Sequence, residues 1–467
     1  MLNPTAWWHC NRLYAKLPMT GRSVHALCVM LLVIAAALSW APAARGAVWP
    51  TDSWATATPA EMGMDASKLR EARDYALVGG GSGMIVRGGY RVYSWGDQNI
   101  RYDVKSTTKS IGGTALGLAI ADNFLVLPDY AQTHLPTVGI PPDGNAATGW
   151  LDDITLLQLA THTAGFDKTG GYIPLLYEPG TRWSYSDGGV NWLADVLTQV
   201  FREDLNSLLF RRVFSRLGIT SSDLVWRSNA YRDDLLDGVK RREFGSGISV
   251  NVDAMGRVGY LYLRDGTWDG QRLLAASFVD AVQQPSPRVT GLPVADPSNY
   301  PNASRHYGLL WFTNADGTMA DVPRDAYWAW GLRDSLIVVI PSLDIVAARA
   351  GAGGFGRSDW NADYSWIEPF ITPIAQSVVS SIVPDVVGLT QSAATSAITG
   401  AGLVLGTVTT QTSATVPAGR VISQSPSANT NVAAGSAVNL VVSTGAAAVS
   451  VPNVVGLTQS AATSAIT

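Results

Sequence analysis

The segment Val386 to Thr399 returns without a single change as Val454 to Thr467, 68 residues later. An identical return of this length marks an internal repeat. Composition changes at the same place. From Ser381 to Thr467 there is no aromatic residue, one acid (Asp385) and one base (Arg420), whereas the preceding sequence is rich in Trp, Asp and Arg. The chain therefore divides near residue 380. Each repeat unit opens Val-Pro-Asp/Asn-Val-Val-Gly-Leu and continues into a helix-like stretch. The first copy then shows two alternating runs, Val404 to Thr410 and Val438 to Ser443, at strand spacing. That alternation favours a small folded module over 383–444 rather than a low-complexity spacer. The second copy, 451–467, reaches only the helix and is expected to be disordered, because it lacks the strands that would bury that helix.

The N-terminus reads as a leader. Residues 26–40 form an uncharged apolar run, with Arg22 before it and the small-residue stretch Ala41 to Ala47 after it. That is the order of a secretory signal peptide, expected over 1–47, with Met19 an alternative start that gives a leader of ordinary length. The competing reading, a membrane anchor, needs roughly 20 apolar residues, more than this run supplies. The only cysteines are Cys10 and Cys28. A processed chain then has no disulfide, thiol nucleophile or cysteine metal site. Processing would also remove Arg12, Lys16, Arg22 and Arg45, moving the net charge from −4 to −8. An acidic exported protein lacks the basic footprint of a nucleic-acid binder.

Between these ends lies one large domain, expected over 54–378. A helix-like segment, Met64 to Ala76, precedes a hairpin in which Met84 to Arg87 and Tyr90 to Trp95 flank a Gly88–Gly89 turn. The middle, from Lys105 to about Gln284, carries mostly helical apolar spacing. Strand-like runs return at His306 to Thr313, Ala326 to Trp330, Ser335 to Ile340 and Asp344 to Arg349, and Ser358 to Val379 closes the domain as a helix. Strands from both ends around a helical middle predict an α/β (α+β) fold: an antiparallel sheet flanked by helices, with a helical subdomain inserted, plus the small α+β module.

Ser106 and Lys109 begin a helix whose apolar face runs through Ile111, Ala115, Leu118 and Ala119. Residues three apart share a helix face, so the Lys109 amine can lie beside the Ser106 hydroxyl. A serine is a weak nucleophile until a neighbouring base takes its proton, and a buried or charge-coupled lysine can supply that help. Taken alone the pair is weak evidence, since Ser106 could be a plain N-cap and Lys109 a solvated residue. Its weight comes from the motifs that succeed it along the chain. Leu159 to Phe166 contains His162 and Gly165; Glu178 to Asp187 contains Pro179, Gly180, Trp183 and Tyr185; and Trp330–Gly331 falls among the late strands.

This series resembles the class C β-lactamase, DD-peptidase and family VIII esterase superfamily. Ser106 and Lys109 match its Ser-x-x-Lys motif. Leu159 to Phe166 is similar to its Leu-Leu-Thr-His-Thr-Ser-Gly-Leu signature, and Pro179 to Tyr185 to its Pro-Gly-x-x-Trp-x-Tyr, with Tyr185 at the catalytic tyrosine. Gly247 to Gly256 and Asp269 to Leu274 also read like family helix and loop signatures. The resemblance spans roughly 54–374. The repeat units, with their Gln424-Ser-Pro426 turn, resemble PASTA domains, which are associated with peptidoglycan.

The resemblance implies an acyl hydrolase without cofactor. Ser106 attacks an acyl carbon, Tyr185 accepts its proton as phenolate or through Lys109, and the oxyanion rests between two backbone N–H groups. Asp187, Trp330, Gly331 and Leu332 fall at substrate-binding positions, with the second oxyanion N–H from Leu332 or Arg333. His162 is implied as a structural hydrogen-bonding residue. Two departures stand out: Tyr-x-Asn becomes Tyr185-Ser186-Asp187, and the Lys-Thr-Gly or His-x-Gly strand becomes Trp330-Gly331-Leu332. Both favour an ester or amide over a penicillin. An ionised Asp187 would be expected to hold Lys109 protonated and leave a phenolate of lowered pKa at Tyr185, unless Asp187 points away and merely caps the helix near Gly188. With His134, His162 and His306 as the only histidines after the leader, and no paired spacing among them, no metal site is expected. The absence of Gly-x-Ser-x-Gly argues against an α/β-hydrolase. The readings that remain are a periplasmic, secreted or wall-associated hydrolase of a small ester, amide or lactam; a DD-carboxypeptidase or β-lactamase; and a non-catalytic peptidoglycan-binding protein.

Overall fold

The computed structural model describes residues 48–357, 360–447 and 450–466. The leader expected over 1–47 lies outside them. Among the described residues, no helix is long and apolar enough to cross a membrane.

The frame is a seven-stranded sheet. Its strands are β1 (Ala55–Thr56), β2 (Ser82–Arg87), β3 (Tyr90–Trp95), β4 (Phe312–Thr313), β5 (Tyr327–Gly331), β6 (Ser335–Ile340) and β7 (Ile345–Ala350), in the spatial order β1-β3-β2-β7-β6-β5-β4. All neighbours are antiparallel except the edge pair β1–β3. β2, β6 and β7 are buried along their whole length, so both faces must be covered.

Alternation along these strands separates two cores, as the period of two requires. Met84, Val86, Ile337, Val339, Val346 and Ala348 face the first core, with the helical subdomain. Ile85, Leu336, Val338, Ile340, Ile345 and Ala347 face the second. The second core is closed by α1 (Ala66–Ala76) and α6 (Glu368–Gln376), which contribute Leu69, Ala72, Phe370, Ile371 and Ile374. The first face receives α5 (Val252–Leu263), which packs on β2, β6 and β7. It lies so close that a Cβ on Gly259 would stand 2.7 Å from both Ile337 Cγ2 and Val346 Cγ1. The subdomain also contains α2 (Thr107–Gly112), α3 (Thr114–Ala121) and α4 (Asp187–Phe201).

The predicted hairpin and late strands are present within a residue or two. The run from His306 to Thr313 is not one strand: Ala303–His306 is a helical turn, Tyr307 makes an isolated bridge with Phe312, and Phe312–Thr313 alone joins the sheet, beside β5. Its apolar residues Leu309, Leu310 and Trp311 are buried in the first core instead. The closing helix is also shorter than its predicted run, reduced to Glu368–Gln376.

The C-terminal module packs α7 (Gln391–Gly400) over a three-stranded sheet of β9 (Val404–Gln411), β10 (Val421–Ser425) and β12 (Ala437–Ser443), beside the pair β8 (Ser380–Ile382) and β11 (Asn431–Ala433). Its core holds Val383, Val386, Ala394, Ile398, Leu403, Val421, Val438, Leu440 and Val442. β8, β10 and β11 are additional to the two strands expected from sequence. β10 escapes notice because only Val421 of its residues is fully buried. The second copy contributes α8 (Gln459–Ile466), a helix where disorder was expected, and it buries nothing. Its Val451 and Ile466 are 85% and 63% exposed, while their first-copy counterparts Val383 and Ile398 are fully covered.

Between the large domain and the module the backbone is bonded to both. Met64 bridges Val378, the Val379 N–H donates to Gly63 O at 3.0 Å, and the Ala434 N–H donates to Val379 O at 2.6 Å.

Gly259→Val should lower stability by about 1–3 kcal/mol, because the added methyls drive α5 off a packed sheet. Gly144→Ala, with nothing near its Cβ, should stay within about 0.5 kcal/mol of wild type. Denaturant midpoints with unchanged slopes check both, and a neutral Gly259→Val would contradict the packing.

Candidate active site

Ser106 sits just before α2, after Lys105, whose φ is +50°. The turn closes through the Thr107 N–H to Val104 O and the Lys109 N–H to Ser106 O. Every residue of α2 is buried, so its polar side chains must find partners inside the protein. Each partner lies in a different element. Thr107 Oγ1 donates to Ser335 O of β6 at 2.7 Å, Thr108 Oγ1 accepts from the Ile248 N–H at 3.0 Å, and Ser110 Oγ donates to Leu310 O at 2.6 Å. These bonds pin the Ser106 turn to the sheet and to the subdomain at once.

Lys109 is the fourth such residue, 1% exposed. Its Nζ lies 3.1 Å from Ser106 Oγ, 2.5 Å from Asp187 Oδ1 and 2.7 Å from Gly245 O. As an ammonium it donates to all three. As a free amine it donates to Asp187 and Gly245 O and turns its lone pair toward the Ser106 hydroxyl. Burial pulls its pKa below the ordinary lysine value, and this outweighs the upward pull of Asp187 and Glu243.

Tyr185 stands over the same amine, with Nζ 4.7 Å from its ring centroid. Burial first, then the charge of Asp187, pushes its phenol well above the ordinary value, and a side-chain hydrogen bond with Ser106 pulls only weakly the other way. The direction at Tyr185 runs against the expected phenolate of lowered pKa, while Lys109, though its pKa is lowered by burial, keeps its ion pair with Asp187. The desolvation that a buried site imposes disfavours charge on both groups.

Asp187 does not turn away to cap a helix. Ser186 is the N-cap of α4, its side chain accepting from the Gly189 N–H, and Asp187 is the first helical residue. Its carboxylate reaches Lys109, and its second oxygen lies 3.9 Å from the exposed Lys168. His162 is buried at φ +59°. Its Nδ1 accepts the Ser186 N–H at 3.2 Å and its ring packs on Tyr185 at 4.3 Å. Burial, with the charges of Lys109 and Lys168, holds it well below the usual histidine range, so it is a neutral positioning group.

At the third motif β5 ends against the turn that carries Ser106. A Cβ on Gly331 would stand 2.1 Å from Val104 O and 2.9 Å from Thr107 N, so only glycine fits. Trp330 is buried, 2% exposed, with its indole N–H donated to Asp334 at 3.0 Å; it packs in the core rather than facing a ligand. Leu332 is 41% exposed and lines a cavity of about 280 Å3 with Arg333, Gly353 and Trp360.

Asp334, which sequence reasoning missed, anchors this turn. It is fully buried, accepts from Arg357 Nη2 at 2.6 Å and the Phe355 N–H at 3.0 Å, and holds φ +52° beside Arg333 at +66°. Arg349 of β7 donates to the carbonyls of both residues. Two successive non-glycine residues in the left-handed region are costly, and only such surrounding bonds sustain them. The nearest sequence signal was Asp334 following two residues after Leu332 in a three-residue strand connection.

Comparison with known proteins accords with this architecture. A family model described as Beta-lactamase matches residues 66–360, and one described as PASTA domain matches 381–444. A β-lactamase of Pseudomonas fluorescens is 27% identical over 137 residues, covering 26% of this chain and 36% of its own length. A probable serine/threonine-protein kinase of Corynebacterium efficiens is 45% identical over 86 residues, 18% of this chain and 13% of its own. The chain thus spans well under half the length of either curated relative. A solved structure from Bacteroides dorei, provisionally assigned as a β-lactamase, superposes with a TM-score of 0.51 at 15% identity, over 67% of this chain and 97% of that one; it speaks for the fold. With the family model covering most of the chain, the protein belongs to the β-lactamase family and carries a PASTA domain after it.

Proposed function

We propose that this protein is an exported serine hydrolase that cleaves small esters, and amides more slowly, through an acyl-enzyme on Ser106. The observation that carries the reading is the convergence of Ser106, Lys109 and Tyr185 around one buried amine. The Lys109 amine, its pKa lowered by burial, accepts the Ser106 proton as Oγ bonds to the acyl carbon. Tyr185, a neutral phenol, relays a proton to the departing alkoxide and is reprotonated from Lys109. Water then attacks the acyl-enzyme, gives its proton to the same amine and releases the acid, and Ser106 recovers its proton. The oxyanion is received by the Ser106 N–H and an N–H just after Gly331.

Asp187 supports esters over lactams. A carboxylate already engaged by Lys109 offers no donor for the acylamino carbonyl of a penicillin or peptide. The PASTA domain supports a wall-associated location with peptidoglycan as the binding partner, and keeps a peptidase or β-lactamase as the second reading.

Ser106→Ala should abolish hydrolysis of a short chromogenic ester without unfolding the chain, and Lys109→Ala should come close. The double variant should be scarcely worse than either, because residues acting as one unit are not additive. Wild-type turnover by Ser106→Ala would move the nucleophile elsewhere.

The ester kcat/KM should rise with pH along a limb governed by Lys109, with its midpoint below the ordinary lysine value of 10.5. The Asp187 charge raises that pKa, so Asp187→Asn should move the limb to lower pH. The restored amide donor should also narrow the ester-to-cephalosporin ratio by about 1–2 kcal/mol. A limb moving to higher pH, or an unchanged ratio, would refute the assignment.

A chain ending at Gln376 should keep its esterase activity but lose sedimentation with purified peptidoglycan. Equal sedimentation of the full and shortened chains would exclude the module as the wall-binding element.

A further inference from the structure

The site contains an aromatic residue that no motif supplies. Tyr300, 2% exposed, stacks on the Tyr185 ring at 4.8 Å with only 10° between the planes. It is held in turn by Trp183 at 5.3 Å and Trp360 at 5.8 Å, and Trp360 packs on Trp330 at 6.2 Å. The chain of rings His162, Tyr185, Tyr300, Trp360, Trp330 therefore joins the histidine signature, the tyrosine motif and the strand that ends at Gly331. Its central link is Tyr300.

The segment that presents Tyr300 is fixed on both sides. Toward the tyrosine motif, Trp183 and Val294 pair, with the Trp183 N–H donating to Pro293 O at 2.9 Å and the Ala295 N–H to Trp183 O at 2.9 Å. Toward the loop after β7, the Ala362 N–H donates to Asn299 O at 2.6 Å. A ring held this way carries no chemistry of its own. Burial keeps its phenol far above the ordinary value, so it stays neutral.

We infer that Tyr300 is a positioning residue, clamping the Tyr185 ring and setting its phenol relative to the backbone beyond Gly331. The inference rests on the reading of Ser106 as nucleophile and Tyr185 as its proton relay. The physical reason is orientational. A phenol that must meet the Ser106 hydroxyl and a departing oxygen in turn loses rate when its ring can tilt, since small misplacements of reacting groups are expensive. Stacked pairs in offset geometry resist such tilting, and a group that supports rather than touches the reacting atoms shows itself in kcat more than in KM.

Three variants test this on a short chromogenic ester, with Ser106 labelling by a fluorophosphonate as a second readout. Tyr300→Leu removes the flat ring and should lower kcat by roughly tenfold while KM stays within about twofold; labelling should slow in parallel. Tyr300→Phe keeps the ring and should remain within about twofold of wild type on every measure. Should Tyr300→Leu fail to fold by circular dichroism, Trp360→Leu removes the next ring in the chain and should lower kcat several-fold. A folded Tyr300→Leu or Trp360→Leu with wild-type kcat and labelling overturns the clamp. So does a Tyr300→Phe as impaired as Tyr300→Leu, which would make the hydroxyl the working group. A wild type that neither turns over the ester nor labels at Ser106 instead removes the underlying reading, so the two failures are distinct.

Discussion

A lysine amine withdrawn from water needs acceptors, and each acceptor that reaches it must be carried there by some part of the fold. Lys109 is served by Ser106 from its own helix, Asp187 from the first turn of α4, and the Gly245 carbonyl from the segment before Ile248–Val250. Asp187 and Gly245 are distant from Lys109 in sequence, and all three acceptors converge on this nitrogen. The cost of burying the amine thereby becomes a constraint on assembly: α2, α4 and the 243–250 segment must be in register for the charge to be accommodated. The same burial lowers the energy needed to release its proton, which is the property a base beside serine requires.

The sheet supplies the rigidity this arrangement needs. Covered on both faces by separate cores, β2, β6 and β7 form a platform on which α5 rests closely enough to require glycine at 259. Thr107 ties the helix that follows Ser106 to β6 directly, and Gly331 lets β5 approach the same turn. On the other side, Arg333 and Asp334 are held in left-handed conformations by Arg349 and Arg357. A site assembled this way depends on elements that cannot shift separately.

Much of this was legible in the residues themselves. Ser106, Lys109 and Tyr185 meet, as their motif order implied, and the β2–β3 hairpin and β6 appear where alternation placed them. What was not legible has physical causes. The direction of the Lys109 and Tyr185 shifts depends on how deeply each is buried, which spacing does not report. Asp334 and Arg357 lie 23 residues apart and are joined only by the fold. Tyr300 stands in a segment of turns with no periodicity, so its stacking on Tyr185 left no trace in local pattern. The His306 to Thr313 run is apolar like a buried strand yet places its apolar residues in a core reached by irregular backbone, where tertiary contacts override local preference. Trp330 matched a motif position that suggested substrate contact, but its indole turns inward to Asp334.

The central claim is that Ser106 carries the acyl group during turnover. Rapid quenching of the full chain with a short activated ester, followed by intact-mass and peptide mass spectrometry, reads that group directly. The account predicts a mass increase equal to one acyl group, located on the peptide containing Ser106, appearing before steady state and absent in Ser106→Ala. An acyl group mapped to another residue, or steady turnover with no covalent adduct at any time, would contradict it.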